Sequence, residues 1–367
     1  MAEHSSSNPK KVNIVVVGLG FGRHFVPLYQ AHPNVDRVAI CEANPTLLQE
    51  IGDHSKVEDR FSSLEDVLAS DLYDAVHLLT PVPLHTEHTL AVLAAGKHCA
   101  CAVPMATDLD SLQRIIDAKN EADRVYMMME TAVYSREFLF VQEMHARGEF
   151  GKLTFLRGSH IQDLDGDFPL YWHAQPPMHY ICHAIAPILA LTKTRATKVV
   201  CFGSGVLRPD IQQPGGNTFP LETALFQLEG TAAVAEVTRS WFQVARSFVE
   251  SFSVYGERRS FEWPQTEEED PIIFTLDEER PAKRRNGTYQ RVKIPYRPDL
   301  YPKELAPFVE DSHGGSHAHL VHEFISSIVN GREPAVGART AANWTATGIC
   351  AHESALRFGE AELVPAY

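Results

Sequence analysis

Short β-branched segments alternate with longer segments of helical character through residues 12 to 130, and this alternation constrains the fold more than any other feature. Strands are predicted at 12–17 (VNIVVV), 37–41, 75–80, 98–102 and 125–130, with helices at 23–31, 45–51, 85–95 and 108–122. Continuous apolar strands separated by helices are typical of a parallel sheet that helices cover on both faces. The first part of the chain is therefore predicted to be a doubly wound α/β domain.

The pattern changes after residue 131, where strands follow one another with few helices between them. Strands are predicted at 153–161, 198–202, 224–228, 233–238 and 249–255, and helices at 135–146, 317–329 and 338–358. Consecutive strands favour an α+β domain with a mainly antiparallel open sheet. Residues 264–312, which hold charged blocks and several prolines, are predicted to form surface loops. Because 367 residues exceed one ordinary core, two domains are predicted, 1–131 and 132–367.

The net charge of −14 limits the partners that this chain can have. An acidic protein repels phosphate backbones and anionic lipids, and the one short basic run, at 283–285, is interpreted as a solvated loop. No nucleic-acid or membrane partner is expected. The first ten residues lack the apolar core of a signal peptide, which predicts a cytoplasmic protein. The six cysteines form no Cys-x-x-Cys pair and are expected to be reduced thiols.

A glycine-rich turn, residues 18–23 (GLGFGR), follows the first predicted strand and precedes a helix. Gly18, Gly20 and Gly22 let backbone N–H groups approach a pyrophosphate at a helix N-terminus, although Arg23 takes the usual third glycine position. Glu42 ends the next strand, 20 residues after Gly22, where a carboxylate accepts hydrogen bonds from ribose hydroxyls. The same carboxylate would repel a 2'-phosphate. Together these features predict a dinucleotide site that prefers NAD(H) to NADP(H).

With these pieces in place, the sequence resembles the Gfo/Idh/MocA family, the relatives of glucose-fructose oxidoreductase and inositol dehydrogenase. The segments that carry the resemblance are 17–22 (VGLGFG), 39–42 (AICE), 80–85 (TPVPLH), 96–98 (GKH) and 314–317 (GGSH). The resemblance implies an N-terminal Rossmann domain that binds NAD and a C-terminal open-sheet domain that carries the substrate and often builds an oligomer. It also implies redox chemistry on a sugar or polyol hydroxyl.

The resemblance implies a set of cofactor-binding residues, and at one of them this chain lacks the lysine that is usual in the family. The predicted cofactor-binding residues are Gly18, Gly20, Phe21, Gly22, Glu42, Thr80, Pro81, His85, Ala102, Val103 and Glu130. Family members usually have Glu-Lys-Pro after the fifth strand, with a lysine that contacts substrate and nicotinamide, whereas this chain has Ala-Val-Pro at 102–104. Glu130 is a candidate relay acid, because it ends a predicted strand at the edge where doubly wound sheets place ligands. It is equally interpreted as a helix cap.

Two histidines are the predicted proton-transfer groups. The family pattern Asp-x-x-x-His falls on 179–183 (HYICH), so its aspartate is His179 and its histidine is His183. Residues four apart lie on one helix face, and an imidazole suits proton exchange with an alcohol near neutral pH. His183 is predicted to be the general acid/base and His179 to orient the substrate or tune its neighbour. The alternative is a pair of structural histidines in a core or at a helix cap.

Metal binding is a rival interpretation of the same pair. His-x-x-x-His is a common bidentate geometry, and His160, Asp163 or Glu130 would add a third ligand if the fold brought it close. No glutamate follows the first histidine, so the zinc protease pattern is absent. The preferred interpretation is a site without a metal.

Polar and aromatic residues are concentrated before His183, and they are the candidates for contact with the substrate. Carboxylates accept hydrogen bonds from vicinal hydroxyls, and aromatic faces cover the apolar face of a sugar ring. A loop held by its own aromatic side chains would have the same composition. The predicted substrate-binding residues are His160, Asp163, Tyr171, Trp172, Tyr180 and His317.

The leading functional hypothesis is an NAD-dependent oxidoreductase that acts on a hydroxyl of a sugar, cyclitol or glycoside. A close variant is a glycosidase or lyase that uses bound NAD transiently, through oxidation, elimination and re-reduction. A third hypothesis is a regulator that senses NAD and sugar without catalysis, which the missing lysine would suit. A homo-oligomer formed through the C-terminal sheet is expected from the family resemblance.

Overall fold

The computed structural model describes residues 11–166, 168–213, 216–266, 268–276, 287–310 and 312–367. The basic run at 283–285, predicted to be a solvated loop, lies outside the described residues. Among the helices that are described, none combines the length and the apolar character needed to cross a membrane.

The first sheet has six parallel strands that alternate with helices, as predicted. The strands are β1 (Val12–Val17), β2 (Val35–Cys41), β3 (Arg60–Phe61), β4 (Ala75–Leu78), β5 (His98–Cys101) and β6 (Tyr126–Met128). Their order across the sheet is β3-β2-β1-β4-β5-β6, and every neighbouring pair is parallel. β1 and β4 are almost wholly buried, which explains their mainly apolar sequences. This is the strand order of a Rossmann domain.

Six helices accompany these strands, and local sequence signals set several of their ends. They are α1 (Leu19–Gly22), α2 (Val26–Ala31), α3 (Pro45–His54), α4 (Leu64–Ala69), α5 (His85–Ala94) and α6 (Leu109–Ala122). Asn44 caps α3 by accepting hydrogen bonds from the N–H groups of Thr46 and Leu47. Ser63 caps α4 in the same way. The helix predicted at 23–31 begins only at Val26, as α2, and neither α4 nor α1, which lies within the glycine-rich turn, was predicted.

The second sheet has nine strands and is mostly antiparallel, as predicted. Its strands are β7 (Leu153–Gln162), β8 (Ala196–Ser204), β9 (Leu221–Leu228), β10 (Val234–Ser240), β11 (Phe248–Gly256), β12 (Arg259–Glu262), β13 (Ile272–Leu276), β14 (Gly287–Arg291) and β15 (Glu362–Leu363). The order is β14-β13-β12-β11-β7-β10-β9-β8-β15, in which only the β7–β10 pair, among the described strands, is parallel. The remaining helices are α7 (Arg136–Ala146), α8 (Cys182–Thr192), α9 (Ser312–Asn330) and α10 (Ala338–Leu356). The predicted fold class is confirmed.

Two parts of the second half differ from the prediction. Residues 264–312 were predicted to be loops, yet β13 and β14 lie within them, because a charged and exposed strand such as β14 lacks the apolar alternation that identifies strands. α9 contains a kink at 313–315, where His313, Gly314 and Gly315 have positive φ. Two adjacent glycines permit this kink at little steric cost.

The chain divides into two compact units, each built from three segments. The first unit contains 1–102, 114–129 and 297–338, and the second contains 103–113, 130–296 and 339–367. The predicted domain limits, 1–131 and 132–367, stay a prediction. The units follow those limits closely at residue 130 and depart from them where 297–338, which includes α9, belongs to the first unit.

Candidate active site

Three neighbouring strands of the second sheet place charged side chains in one row. In the strand register, His160 of β7 lies opposite Glu250 of β11 on one side and Arg239 of β10 on the other. His160 and Arg239 are buried, and Glu250 is nearly so. Because side chains at paired positions project to the same face of a sheet, Glu250, His160 and Arg239 lie side by side on one face.

α8 reaches this row because a glycine lies beneath it. A Cβ atom at Gly158 of β7 would collide with the carbonyl oxygen of Ala184 in α8. Glycine therefore permits the first turn of α8 to lie directly on the strand, two residues from His160. His183, in that turn, is buried, and its ring centroid lies 5.2 Å from that of His160.

His183 is held by two buried carboxylates. Its Nδ1 donates a hydrogen bond to Oε1 of Glu130 at 2.6 Å, and lies 3.4 Å from Oε1 of Glu250. The same Glu130 oxygen accepts a hydrogen bond from the N–H group of Ala132, which caps the turn after β6. Both interpretations of Glu130 in the sequence, acid and cap, are therefore compatible with its position. Thr131 Oγ1 lies 3.3 Å from the same ring nitrogen of His183.

The carboxylates determine the charge of the imidazole. Burial disfavours the imidazolium, but Glu130 and Glu250 outweigh it and raise the pKa of His183 to about 9. Burial also raises the pKa of Glu250, although the charge of His183 opposes the change. At neutral pH His183 is therefore an imidazolium beside Glu130 and Glu250, and this buried cluster has a proton to exchange.

Arg239 and a layer of aromatic rings border the cluster. The guanidinium of Arg239 lies 3.6 Å from the Trp241 ring centroid and donates hydrogen bonds to the carbonyl oxygens of His160 and Ser240 and to Gln162 Oε1. Burial lowers the pKa of Arg239 to about 9. The Tyr180 ring centroid lies 5.3 Å from that of His183 and 6.3 Å from that of His160.

The predicted partnership of His179 with His183 rests on a helix that the structure does not contain. His179 lies in a separate 3-10 turn, Pro177–Tyr180, and only His183 lies in α8. Pro176 and Pro177 begin this turn, and Ile181 separates it from α8. The ring of His179 instead packs edge-on against His352, at 5.2 Å between centroids. Burial, followed by the charge of His352, lowers the pKa of His179 to about 3.

The other predicted substrate residues lie in different surroundings. Tyr180 and Trp172 pack against a buried apolar cluster that includes Trp241, and Tyr171 lies against Trp172 at 5.0 Å between centroids. Asp163 accepts a hydrogen bond from the N–H group of Asp165 within its own loop. His317 lies in the first compact unit, where its ring centroid is 4.6 Å from that of Phe25.

In the first unit, the three glycines of the turn each meet a different spatial requirement. A Cβ atom at Gly18, where φ is +90°, would lie 2.5 Å from the Leu79 carbonyl oxygen. A Cβ atom at Gly20 would meet no described atom within 4 Å, which leaves that backbone open to a ligand. At Gly22 a Cβ atom would lie 3.0 Å from Val16, so this glycine allows close packing of helix on strand. These are the three roles of glycine in a dinucleotide turn, although the third glycine comes one residue early.

The remaining predicted cofactor residues surround this turn or follow neighbouring strands. Glu42 accepts hydrogen bonds from the N–H groups of Leu19, at 2.9 Å, and Asn44, at 3.0 Å. His85 Nε2 donates to the carbonyl oxygen of Thr80 at 2.9 Å. The ring of Phe21 is partly exposed and packs against His313 and His317. Pro81 begins a 3-10 turn. Ala102 and Val103 follow β5, and Val103 is buried. The turn and the carboxylate of Glu42 fit a bound NAD.

Comparison with known proteins adds an independent observation. Residues 12–130 match the family model described as the GFO_IDH_MocA oxidoreductase family, with an NAD-binding Rossmann fold. The match is to the NAD-binding Rossmann domain of that family and ends at residue 130 of this chain. The family description confirms NAD as the cofactor and confirms the resemblance drawn from the glycine turn and the segments after it.

Proteins similar to this chain include a curated protein and several solved structures. A glycosyl hydrolase family 109 protein of Shewanella baltica is 29% identical over 202 residues, a match that covers 48% of this chain and 44% of the relative. The match thus spans less than half of the relative's length. Among solved structures, levoglucosan dehydrogenase in complex with NADH and levoglucosan is 20% identical, with a TM-score of 0.79, and covers 97% of this chain and 100% of its own.

A second solved structure, myo-inositol 2-dehydrogenase from Lactobacillus plantarum, is 16% identical, with a TM-score of 0.76. It covers 97% of this chain and 100% of its own. At these levels of identity the two structures establish a shared fold. A shared fold does not identify the substrate of this chain.

Two residues of this candidate site, Arg239 and Glu250, were not predicted from the sequence. Both alternate with buried apolar residues along their strands: Ala235 and Val237 precede Arg239, and Phe252 and Val254 follow Glu250. A charged residue among the apolar residues on one face of a strand was therefore the sequence feature that could have identified Arg239 and Glu250 as site residues. It becomes informative only with the register, which brings both side chains to His160.

Proposed function

We propose that this protein is an NAD-dependent oxidoreductase that interconverts an alcohol and a ketone on a sugar, cyclitol or glycoside. The observation that carries the proposal is the buried His183 imidazole held between Glu130 and Glu250. Oxidation of an alcohol releases a proton from the hydroxyl as the carbon loses a hydride, so the reaction needs a buried group that accepts and returns one proton. NAD, when bound, supplies the hydride acceptor.

In this proposal His183 moves the proton and the two glutamates stabilise the charge that results. Neutral His183 accepts the hydroxyl proton during oxidation, and the imidazolium returns a proton to the carbonyl oxygen during reduction. Glu130 orients the ring through its short hydrogen bond, in the role that a carboxylate plays for a catalytic histidine. Tyr180, beside both His183 and His160, offers an aromatic face for the apolar side of a sugar ring.

The test is a comparison of His183→Ala with His179→Ala. We expect His183→Ala to lower kcat by about 100-fold or more and to leave the affinity for NADH nearly unchanged, because the imidazole handles a proton. His179 lies against His352 in the neighbouring turn, so His179→Ala should change kcat much less. Stopped-flow absorbance of NADH, with a panel of sugars and cyclitols, provides the measurement. Equal activity of wild type and His183→Ala would remove His183 from the reaction.

A glycosidase that uses NAD without net consumption is the second candidate, and the similarity to the glycosyl hydrolase family 109 protein favours it. Oxidation of the hydroxyl two carbons from the anomeric carbon acidifies the C–H bond between them, which permits β-elimination of the aglycone. Water then adds to the resulting enone, and the hydride returns to the carbonyl carbon. Release of the aglycone from an aryl glycoside without accumulation of NADH would identify this activity. Tight binding of NAD and sugar without either product would instead identify a sensor.

A further inference from the structure

We propose that His160, His183 and Glu250 form a binding site for one divalent transition-metal ion. One ligand atom from each of the three residues lies within 4.8 Å of the other two. Ligands at zinc distances of 2.0–2.2 Å in a tetrahedral site lie about 3.4 Å apart, so side-chain rotations that shorten these separations by about 1.4 Å at most would close the site. Three separate elements, β7, α8 and β11, supply the ligands, which makes the arrangement a property of the fold.

The donor set selects the class of metal. Two imidazoles and one carboxylate suit Zn²⁺, Co²⁺, Fe²⁺ or Mn²⁺ better than Mg²⁺ or Ca²⁺, which prefer oxygen ligands alone. Three protein ligands also leave coordination positions open for water or a substrate oxygen. Glu130 accepts the Nδ1–H group of His183, and a carboxylate in this position orients the ring and increases the basicity of a histidine ligand.

The electrostatics of the cluster favour a cation. Glu130 is fully buried, and within the described part of the chain neither its Oε2 nor Oε1 of Glu250 receives a hydrogen bond. Buried carboxylate oxygens in this condition are costly, and a nearby divalent charge would offset that cost. Two positive charges oppose the ion. One is the His183 imidazolium, whose proton the ion must displace on binding. The other is Arg239, whose N–H groups are directed to the carbonyl oxygens of His160 and Ser240 and to Gln162.

Metal binding has a consequence for the reaction, and this part rests on the proposed function. An ion that takes a lone pair of His183 removes the group that would accept the hydroxyl proton. Occupancy of the site should therefore inhibit oxidation of the substrate, and removal of the ion should restore it.

The binding test uses metal-free protein titrated with Co²⁺, whose visible absorption reports the coordination geometry. We expect one Co²⁺ per chain in the wild type, and affinities at least 100-fold weaker in His160→Ala and Glu250→Gln. His179→Ala should bind Co²⁺ as the wild type does, because His179 lies outside the cluster. NADH binding to each variant verifies that it is folded. Absence of a 1:1 Co²⁺ complex, or an equal loss in His179→Ala, would overturn the proposed site.

The functional test separates the site from the reaction. Zn²⁺ should inhibit wild-type NADH formation, with recovery after addition of EDTA. Activation by Zn²⁺ in a protein that binds Co²⁺ through His160 and Glu250 would support the metal site and reject His183 as the proton acceptor. Loss of activity in His183→Ala, in the absence of Co²⁺ binding by the wild type, would support His183 as the proton acceptor and reject the metal site.

Discussion

His183 has its charge set by neighbours that are far from it in the sequence. Glu130 follows β6 and Glu250 lies on β11, and together they hold the pKa of the buried imidazole above its ordinary value. A single histidine in a motif would be assigned a pKa near 6.5. The two carboxylates instead make it an acid at neutral pH.

This charge predicts opposite pH profiles for the two directions of the proposed reaction. Oxidation needs neutral His183, so log kcat/KM should rise with pH and level off above about 9. Reduction needs the imidazolium and should decline above the same pH. Glu250→Gln removes one carboxylate, so the midpoint should move to lower pH in both directions. Profiles with an unchanged midpoint in Glu250→Gln would contradict the assignment of the midpoint to His183.

Glu42 links the coenzyme turn to the second strand. Its carboxylate accepts hydrogen bonds from the N–H groups of Leu19 and Asn44, so it both supports the turn and presents a negative charge beside it. We expect Glu42→Ala to weaken NADH binding about 10-fold and to reduce the preference for NADH over NADPH, since the repulsion of a 2'-phosphate is lost. Isothermal titration with both coenzymes measures this change. Unaltered affinity and preference would show that Glu42 does not contact the ribose.

At the scale of elements, close backbone approach decides where the functional groups meet. α8 lies on β7 only because residue 158 is glycine, and the first turn of α8 then places His183 beside His160. The adjacent 3-10 turn, which carries His179, diverges after two prolines. Spacing of four residues is therefore insufficient to predict a shared face when a helix boundary falls between them.

A histidine pair joins α2 to α9 in the first unit. His32 follows α2, and its Nδ1 accepts a hydrogen bond from the N–H group of Asn34, so its Nε2 carries the proton and donates to Nδ1 of His322 at 3.1 Å. Burial, followed by the charge of His322, lowers the pKa of His32 to about 4. Protonation of His32 would place a hydrogen on Nδ1, which could then no longer accept the hydrogen bond from the N–H group of Asn34.

The pair predicts acid sensitivity of the first unit. Because the folded pKa of His32 lies below its unfolded value of about 6.5, its stabilising effect is complete above pH 6.5 and is lost as the pH falls towards 4. Between pH 7 and pH 5 this linkage amounts to about 2 kcal/mol. We expect the free energy of unfolding of His32→Gln to fall less over this interval than that of the wild type. Urea unfolding followed by circular dichroism measures the difference.

The exposed His54, at the end of α3, offers a matched control as His54→Gln, which should retain the pH dependence of the wild type. Tryptophan fluorescence adds an internal reference, because all four tryptophans, at 172, 241, 263 and 344, belong to the second unit. An identical pH dependence in His32→Gln and the wild type would exclude His32 as the source.

At the scale of the whole molecule, the outer face of the nine-stranded sheet exposes large apolar side chains. Phe202 on β8 is 58% exposed and Leu225 on β9 is 51% exposed. The two strands are adjacent, and Phe202 pairs with Thr223 while Leu225 pairs with Val200, so Phe202 and Leu225 are diagonal neighbours. Exposed apolar groups grouped on one sheet are typical of an interaction surface. The homo-oligomer expected from the sequence stays a prediction, and this face is where we place its interface.

Charge introduced on this face should separate the subunits. We expect the double variant Phe202→Glu, Leu225→Glu to sediment as a monomer at micromolar concentration, while the wild type sediments as an oligomer, because buried unpaired carboxylates are costly. Tyr289→Glu, on the exposed strand β14 at the far end of the sheet, is the control and should leave the mass unchanged. A monomeric wild type, or equal masses of wild type and double variant, would contradict the assignment.

Much of the fold was accessible from the sequence alone. The apolar runs of β1 and β4, the glycine turn at 18–22 and the acid at 42 are local signals, because period, steric demand and spacing are set by residues close together in the chain. They were sufficient to predict the parallel sheet and NAD as the cofactor, and the succession of strands in the second half predicted the mainly antiparallel sheet. The exposed strand β14 lacks such a signal and was missed.

The tertiary structure alone decided which side chains share the candidate site. His160 meets Glu250 through strand register, Glu130 meets His183 across 53 residues, and His179 is directed elsewhere by a turn. None of these pairings has a local pattern, because register and close packing depend on the whole sheet. The sequence determined the elements and their chemical inventory, whereas the charge of His183 depends on distances that only the packed structure defines.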